Sequence, residues 1–236
     1  MNQDYASRGA GPRSCAAKFA RASARTLAAL VAAVVISLAT YAQDPSSELP
    51  EAAKKGDLDG LRSLLSKGAD VNTKSENGRT ALMEAAYWGR ADAAKLLLDK
   101  GADVNAKDKE DRTALMDASA NGHIQVVQAL LEKNVTLNAK TKDGATALTE
   151  AASNNRADVI KALLGKGASI DEKDKEGRAA LALAAYWGHA DAAQLLIEKG
   201  ANLNAKDKYG YTALMYAKRE NHPNVADLLI KAGAKP

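Results

Sequence analysis

Cysteine is nearly missing: the 236 residues hold one, Cys15. It stands before an apolar run instead of after it, the wrong place for a lipid-bearing cysteine. The chain beyond it has no thiol for a disulfide or for nucleophilic chemistry. Aromatic residues are scarce as well, two Trp, seven Tyr and one Phe. A surplus of one charge is absent from most of the chain. Residues 1–42 carry five bases (Arg8, Arg13, Lys18, Arg21, Arg25) against Asp4, while residues 43–236 carry 28 bases and 28 acids. The formal charge of +4 therefore belongs to the N-terminal stretch, and a nucleic-acid role loses its main support. No apolar run approaches the ~20 residues of a membrane-spanning helix. Glycines recur at turn positions and form no phosphate-cradling motif.

The N-terminal stretch has the order of a secretory signal. Basic residues end at Arg25, an apolar run covers Leu27 to Ala39, and small residues lead to Thr40-Tyr41-Ala42. Residues 1–42 are read as a signal cleaved after Ala42, residues 43–47 as a short linker. An uncleaved N-terminal anchor is the alternative, because tilt or local thinning accommodates a short span. The basic segment is long for a signal, which a translation start downstream of Met1 would explain. A cysteine-free exported chain suits an oxidising compartment, read here as a bacterial periplasm. Secretion beyond the cell is the other location in view.

What fills the rest is repetition. The same phrase of 33 residues restarts at Ser75, Asp108, Thr141, Asp174 and Asp207 without insertion or loss. Spacing of that length marks a stacked-repeat solenoid. Within 75–107, Leu82, Ala85 and Ala86 lie at i, i+3 and i+4, one apolar stripe of a short helix. Thr80 is placed to cap its start and Gly89 to end it. A second helix follows with Ala93, Ala94, Leu96 and Leu97 facing inward, and Gly101 stops it. Each unit is expected to be two antiparallel helices and a protruding turn, giving an all-α solenoid with hairpin loops. Residues 48–74 read as a degenerate first unit without the opening turn, and 207–236 as the closing one.

The phrase resembles the ankyrin repeat, whose pattern runs Asp-x-x-Gly-x-Thr-Pro-Leu-His-x-Ala-Ala-x-x-Gly-His and then Leu-Leu-Leu-x-x-Gly-Ala-Asp-Val-Asn. Residues 174–189 read Asp-Lys-Glu-Gly-Arg-Ala-Ala-Leu-Ala-Leu-Ala-Ala-Tyr-Trp-Gly-His, and 195–204 read Leu-Leu-Ile-Glu-Lys-Gly-Ala-Asn-Leu-Asn. The likeness covers about 48–236. The Pro-Leu-His step departs from the family: it is Ala-Leu-Met at Ala81, Ala114 and Ala213, Ala-Leu-Thr at Ala147 and Ala-Leu-Ala at Ala180. A preset first turn is lost, while Met83, Met116 and Met215 are expected to fill space. Asn134 and Asn155 replace turn glycines and are expected to take the left-handed conformation. Units three and four carry most departures, so a weaker middle is expected.

The resemblance implies a protein-binding module with no catalytic residue, metal or cofactor. His123, His189 and His222 share one repeat position, and units ~10 Å apart keep them from one ion. Lysines at the hairpin tips, such as Lys107, Lys109, Lys140 and Lys142, alternate with acids and read as solvation. The aromatic pairs are more telling. Tyr87-Trp88 and Tyr186-Trp187 stand where the resemblance implies the first helix ends at a concave groove. Tyr and Trp are common interface anchors. With Tyr209 and Tyr211, and Arg79, Arg112 and Arg178 beside them, they form the expected surface for a folded protein partner. Duplication of units two and five accounts for the pairing but not for any exposure. The protein is expected to be monomeric, with no membrane contact once the signal is removed. Rival functions are a secreted effector that binds host proteins, and an envelope enzyme or small-ligand protein.

Overall fold

The computed structural model describes residues 45–235, so the signal, its cleavage site and Cys15 lie outside the described residues. The compact unit begins at Pro45. A 3-10 turn over Pro45–Glu48 precedes six helix pairs. The inner helices are α1 (Leu49–Lys55), α3 (Ala81–Tyr87), α5 (Ala114–Asn121), α7 (Ala147–Ser153), α9 (Ala180–Tyr186) and α11 (Ala213–Arg219). The outer helices are α2 (Leu58–Ser66), α4 (Ala91–Asp99), α6 (Ile124–Leu131), α8 (Ala157–Gly165), α10 (Ala190–Glu198) and α12 (Pro223–Lys231). Among the described residues there is no strand. The turn assigned to the linker is part of the fold: the buried Ser46 hydroxyl accepts from the Asp70 N–H at 2.9 Å.

Local signals set each inner helix. Thr80, Thr113, Thr146 and Thr212 accept, through their hydroxyls, the N–H of the residue three positions on. This satisfies one of the donors that a helix start leaves free. Ala179 offers no such group to α9. Gly89, at φ +68°, turns the chain between helices, and a Cβ there would come within 2.6 Å of the His123 ring. Asn155 and Asn221 take the same left-handed turn at φ 54° and 59°, and Asp111 does so at a hairpin tip. Asn134 does not. There the chain makes a tighter turn in which the Val135 N–H donates to the Lys133 carbonyl at 2.7 Å. Elsewhere the residue after the glycine, such as Ala102 or Ala168, reaches back to the Leu97 or Leu163 carbonyl.

Two rows stack side by side, inner helices on inner and outer on outer. Alanines sealed at the inner contacts (Ala85, Ala118, Ala151, Ala184, Ala217) let those backbones approach closely. The outer row is held by Leu97, Leu130, Leu163, Leu196 and Leu229, which are larger. Small side chains on the inner row and larger ones on the outer row favour a bend with the inner row inside it, the side the resemblance implies is the groove. Leu96 is only half-buried, and Leu98 takes the core place expected of it. Met83 and Met116 are buried, but Met215, in the last described unit, is exposed.

Hydrogen bonds repeat at the unit junctions. The N–H groups of Lys109, Lys142, Lys175 and Lys208 donate to Asn77, Glu110, Asp143 and Glu176 of the preceding tip. On the outer side, Asn72, Asn105, Asn138 and Asn204 accept an N–H from the next unit through their side-chain oxygens.

Candidate functional site

Each Tyr-Trp pair sits where an inner helix ends, with the tyrosine as its last residue and the tryptophan as its cap. Tyr87 and Trp88 are each 44% exposed and meet edge to face at 5.3 Å. The Lys54 ammonium stands 5.5 Å over the Trp88 ring, and the Arg79 guanidinium 5.6 Å from Tyr87. In the fifth unit Tyr186 meets Trp187 at 4.9 Å, and Trp187 is 54% exposed. Tyr186 is half-buried because Tyr216 meets its ring at 5.6 Å. Edge-to-face geometry holds both indoles in defined orientations, each pair worth ~1 kcal/mol beyond burial. Neither indole is sealed in the stack.

The last unit adds less than expected. Tyr209 is fully presented at a hairpin tip, 73% exposed. Tyr211 is half-buried and stacks on Tyr216 at 5.4 Å, with the Arg219 guanidinium 4.9 Å from its centre. Tyr216 itself is buried and hydrogen-bonds the Asp207 carboxylate. Burial and that carboxylate push the tyrosine up to about 12. Burial raises Asp207, but the Tyr216 hydroxyl and the backbone N–H groups of Tyr211 and Tyr209 outweigh it and hold the carboxyl below its ordinary value.

The arginines expected on the binding surface are occupied within the molecule. Arg79 Nε lies 2.6 Å from Glu84 and its Nη2 lies 2.9 Å from Asp117 of the next unit. Arg112 repeats the pattern, 3.0 Å from Asp117 and 2.7 Å from Glu150. Arg178 stays in its own hairpin, 2.8 Å from Asp174 and 3.3 Å from Glu176. In units two and three the guanidinium at the fifth place thus bridges the acids at the tenth places of its own and the following unit. The chain from Arg79 to Glu150 ties units two, three and four together, with Asp117 only 1% exposed. Burial holds the Asp117 carboxyl above its ordinary value despite the two guanidiniums. Arg79 and Arg112 thereby link units along the groove, and all three guanidiniums carry internal ion pairs.

That pattern does not continue at the junction of the fourth and fifth units. The fifth place of the fourth unit is Ala145 and the tenth place of the fifth unit is Leu183. A cleft of about 380 Å³ opens there, lined by Asp143, Glu150, Asp174, Arg178, Leu183 and Trp187 among others. Ala145, Glu150 and Leu183 were not singled out from the sequence. The signal was present, because alignment of the units shows both departures.

The remaining candidates serve the stack. His123, His189 and His222 each bring Nε2 within 3.0, 3.0 and 3.1 Å of the carbonyls of Tyr87, Ser153 and Tyr186. A carbonyl can only accept, so this nitrogen carries the proton. Arg90 and Arg156 make the same link to Lys54 and Ala120 at the other junctions. Lys74, Lys140 and Lys173 donate to the carbonyls of Lys107, Lys173 and Lys206, so part of the lysine ladder is bracing. Among the described residues, no group of His, Cys, Asp and Glu is placed to hold a metal ion, and no helix is long and apolar enough to cross a membrane.

No curated protein matches the chain. Among solved structures, an ankyrin repeat domain from Acinetobacter baumannii AYE matches with a TM-score of 0.72 and 31% identity, over 79% of this chain and 98% of that one. The family model for ankyrin repeats in three copies matches residues 49–141, 103–174 and 148–236. Ankyrin repeats are in general protein–protein interaction modules, and the fold is typically a scaffold without catalysis. Two helical rows, threonine-capped inner helices, 33-residue spacing and these matches together make the chain a member of the ankyrin repeat family.

Proposed function

We propose that this protein is exported to the bacterial periplasm and binds one folded protein there through its concave groove and hairpin tips. The observation that carries the reading is the exposure of both Trp88 and Trp187 at equivalent inner-helix ends. Half-exposed indoles held by neighbouring rings lose little freedom on binding, and Trp and Tyr dominate interface energetics. Three units of ~10 Å separate them by ~30 Å, which suits a folded domain more than a short peptide. A standard interface of ~1,600 Å² fits six units. Restraint, protection or scaffolding of an envelope enzyme is the role assigned to this binding, motivated by the compartment alone.

Two measurements test it. Affinity capture from periplasmic extract compares the processed chain with the Trp88→Ala, Trp187→Ala double variant. Loss of the captured protein is expected from the variant, and the same partner at the same yield would remove the aromatic groove from the account. Mass spectrometry of the exported protein is expected to find Gln43 at its N-terminus in the periplasmic fraction. Recovery of the processed chain outside the cell would instead favour a secreted effector.

A further inference from the structure

We propose that the cleft between the fourth and fifth units receives a basic side chain, arginine or lysine, from the surface of a protein partner. The inference rests on the groove-binding reading and adds the chemistry of its centre.

The molecule contains its own template for the site. At the two preceding junctions a carboxylate from one unit meets a guanidinium supplied from within, Arg79 against Glu84 and Asp117, then Arg112 against Asp117 and Glu150. In the fourth unit the acid is still there as Glu150, but Ala145 stands where the arginine would start. Leu183 replaces the following acid, giving an apolar floor against which a methylene stem can lie. The cleft is therefore a guanidinium socket whose own guanidinium is missing.

Charge and apolar surface agree. Asp143, Glu150, Asp174 and Glu176 line the space against Arg178 alone. Arg178 is engaged by Asp174 and Glu176, and Glu150 by Arg112. Asp143 is exposed and makes no ion pair among the described residues. The local excess is negative, set beside the rings of Tyr186 and Trp187. Carboxylates next to an aromatic face favour a cation that carries hydrocarbon, through charge, ring attraction and stem burial together. An acidic partner is repelled, and a purely apolar one would leave Asp143 without a counter-charge. The larger cleft of about 570 Å³ at the first unit has mixed charge, Glu51, Glu76 and Glu84 with Lys54 and Lys74, and neither tryptophan lines it.

The test uses the processed chain carrying Trp88→Phe, which leaves Trp187 as the only indole reporter. The probes are the capped tripeptides Gly-Arg-Gly and Gly-Gln-Gly. The arginine peptide is expected to change Trp187 emission saturably, at least about tenfold more tightly than the glutamine peptide, and to weaken severalfold as salt rises to about 150 mM. Ala145→Arg places the missing guanidinium beside Glu150 from within and is expected to abolish the response while the melting temperature holds or rises. Equal binding of both peptides, or an unchanged response in Ala145→Arg, overturns the assignment. Concentration-dependent dimerisation abolished by Ala145→Arg would give the cleft to a second copy of this chain and overturn it as well. The partner captured by the groove separates the two readings. If Trp88→Ala with Trp187→Ala loses it and Ala145→Arg keeps full affinity, the basic-side-chain socket falls and groove binding stands. If none of these changes weakens capture, both fall.

Discussion

Ser119 is buried on α5, and its hydroxyl finds no hydrogen-bond partner among the described residues. Alanine occupies the equivalent place at Ala86, Ala152 and Ala185. An unpaired buried hydroxyl costs ~1–3 kcal/mol, so Ser119→Ala is expected to be neutral to stabilising. A gain of ~1 kcal/mol would raise the melting temperature by about 2–4 °C in a chain of this size. Scanning calorimetry checks it, and a fall in the melting temperature would show that the hydroxyl is in fact paired. Asp117 Oδ2 is a different case: its hydrogen-bond direction is poor, yet the Arg79 guanidinium lies 2.9 Å away, so its charge is met.

The Tyr216–Asp207 contact makes alkaline stability diagnostic. The tyrosine titrates near 10 when unfolded and is pushed up to about 12 when folded. A raised value in the folded state stabilises below pH ~10, and that contribution is lost as pH rises through about 12. Tyr216→Phe is expected to lower stability at neutral pH and to flatten the decline between pH ~10 and ~12. Equal slopes in the two proteins would remove the hydroxyl from the account. At this scale much was legible. Thr80 caps and Asn155 turns as expected, because both depend on neighbours within their own unit. Asn134, Leu96 and Met215 departed from expectation because the following turn, helix packing and contacts with neighbouring units decide them. The roles of Arg79 and Arg112 were hidden for the same reason: their second carboxylate lies in the next unit.

Among the inner helices that follow α1, α9 alone starts without a capping side chain, lacking the threonine that starts α3, α5, α7 and α11. Its junction with α7 also lacks the arginine bridge, and the outer-side asparagine is Asp171, which accepts from Asn202 but has no amide to donate. His189 to Ser153, Lys173 to Lys206, the Ala192 N–H to the Asn155 side chain and the Lys175 N–H to Asp143 remain. Departures counted along the sequence pointed to a weaker middle, but the buried ion chain ties units two to four together. The physical reason is that a departure weakens the stack only where it removes a link between neighbours. Stability in such stacks is a sum of unit and junction contributions. Hydrogen exchange is therefore expected to show lower protection in α9 than in α5 and α7. Ala179→Thr should restore ~1 kcal/mol and raise protection there. Earlier exchange in α5 and α7 would return the weak point to the middle.

At the scale of the whole molecule, one junction combines the loss of the arginine bridge with a cleft and an exposed indole. The fold was legible in full, since a 33-residue period with helix stripes, caps and turn glycines admits few architectures. The groove was half legible. The aromatic pairs stood out by scarcity, but exposure depends on what neighbouring units cover, and the cleft depends on the two departures at Ala145 and Leu183 meeting across a junction. A partner that spans both indoles would also clamp the fourth and fifth units against each other. Binding is then expected to raise the exchange protection of α9 more than that of α5, because the junction without the arginine bridge has most to gain.

The most direct measurement is the affinity of the captured partner for the native chain and for the Trp88→Ala and Trp187→Ala variants, alone and combined. Anchors of this kind carry about 2 kcal/mol each, so each single change is expected to weaken binding by about 30-fold and the pair by more. Affinities within about threefold of the native chain for all three variants would contradict binding through the aromatic groove.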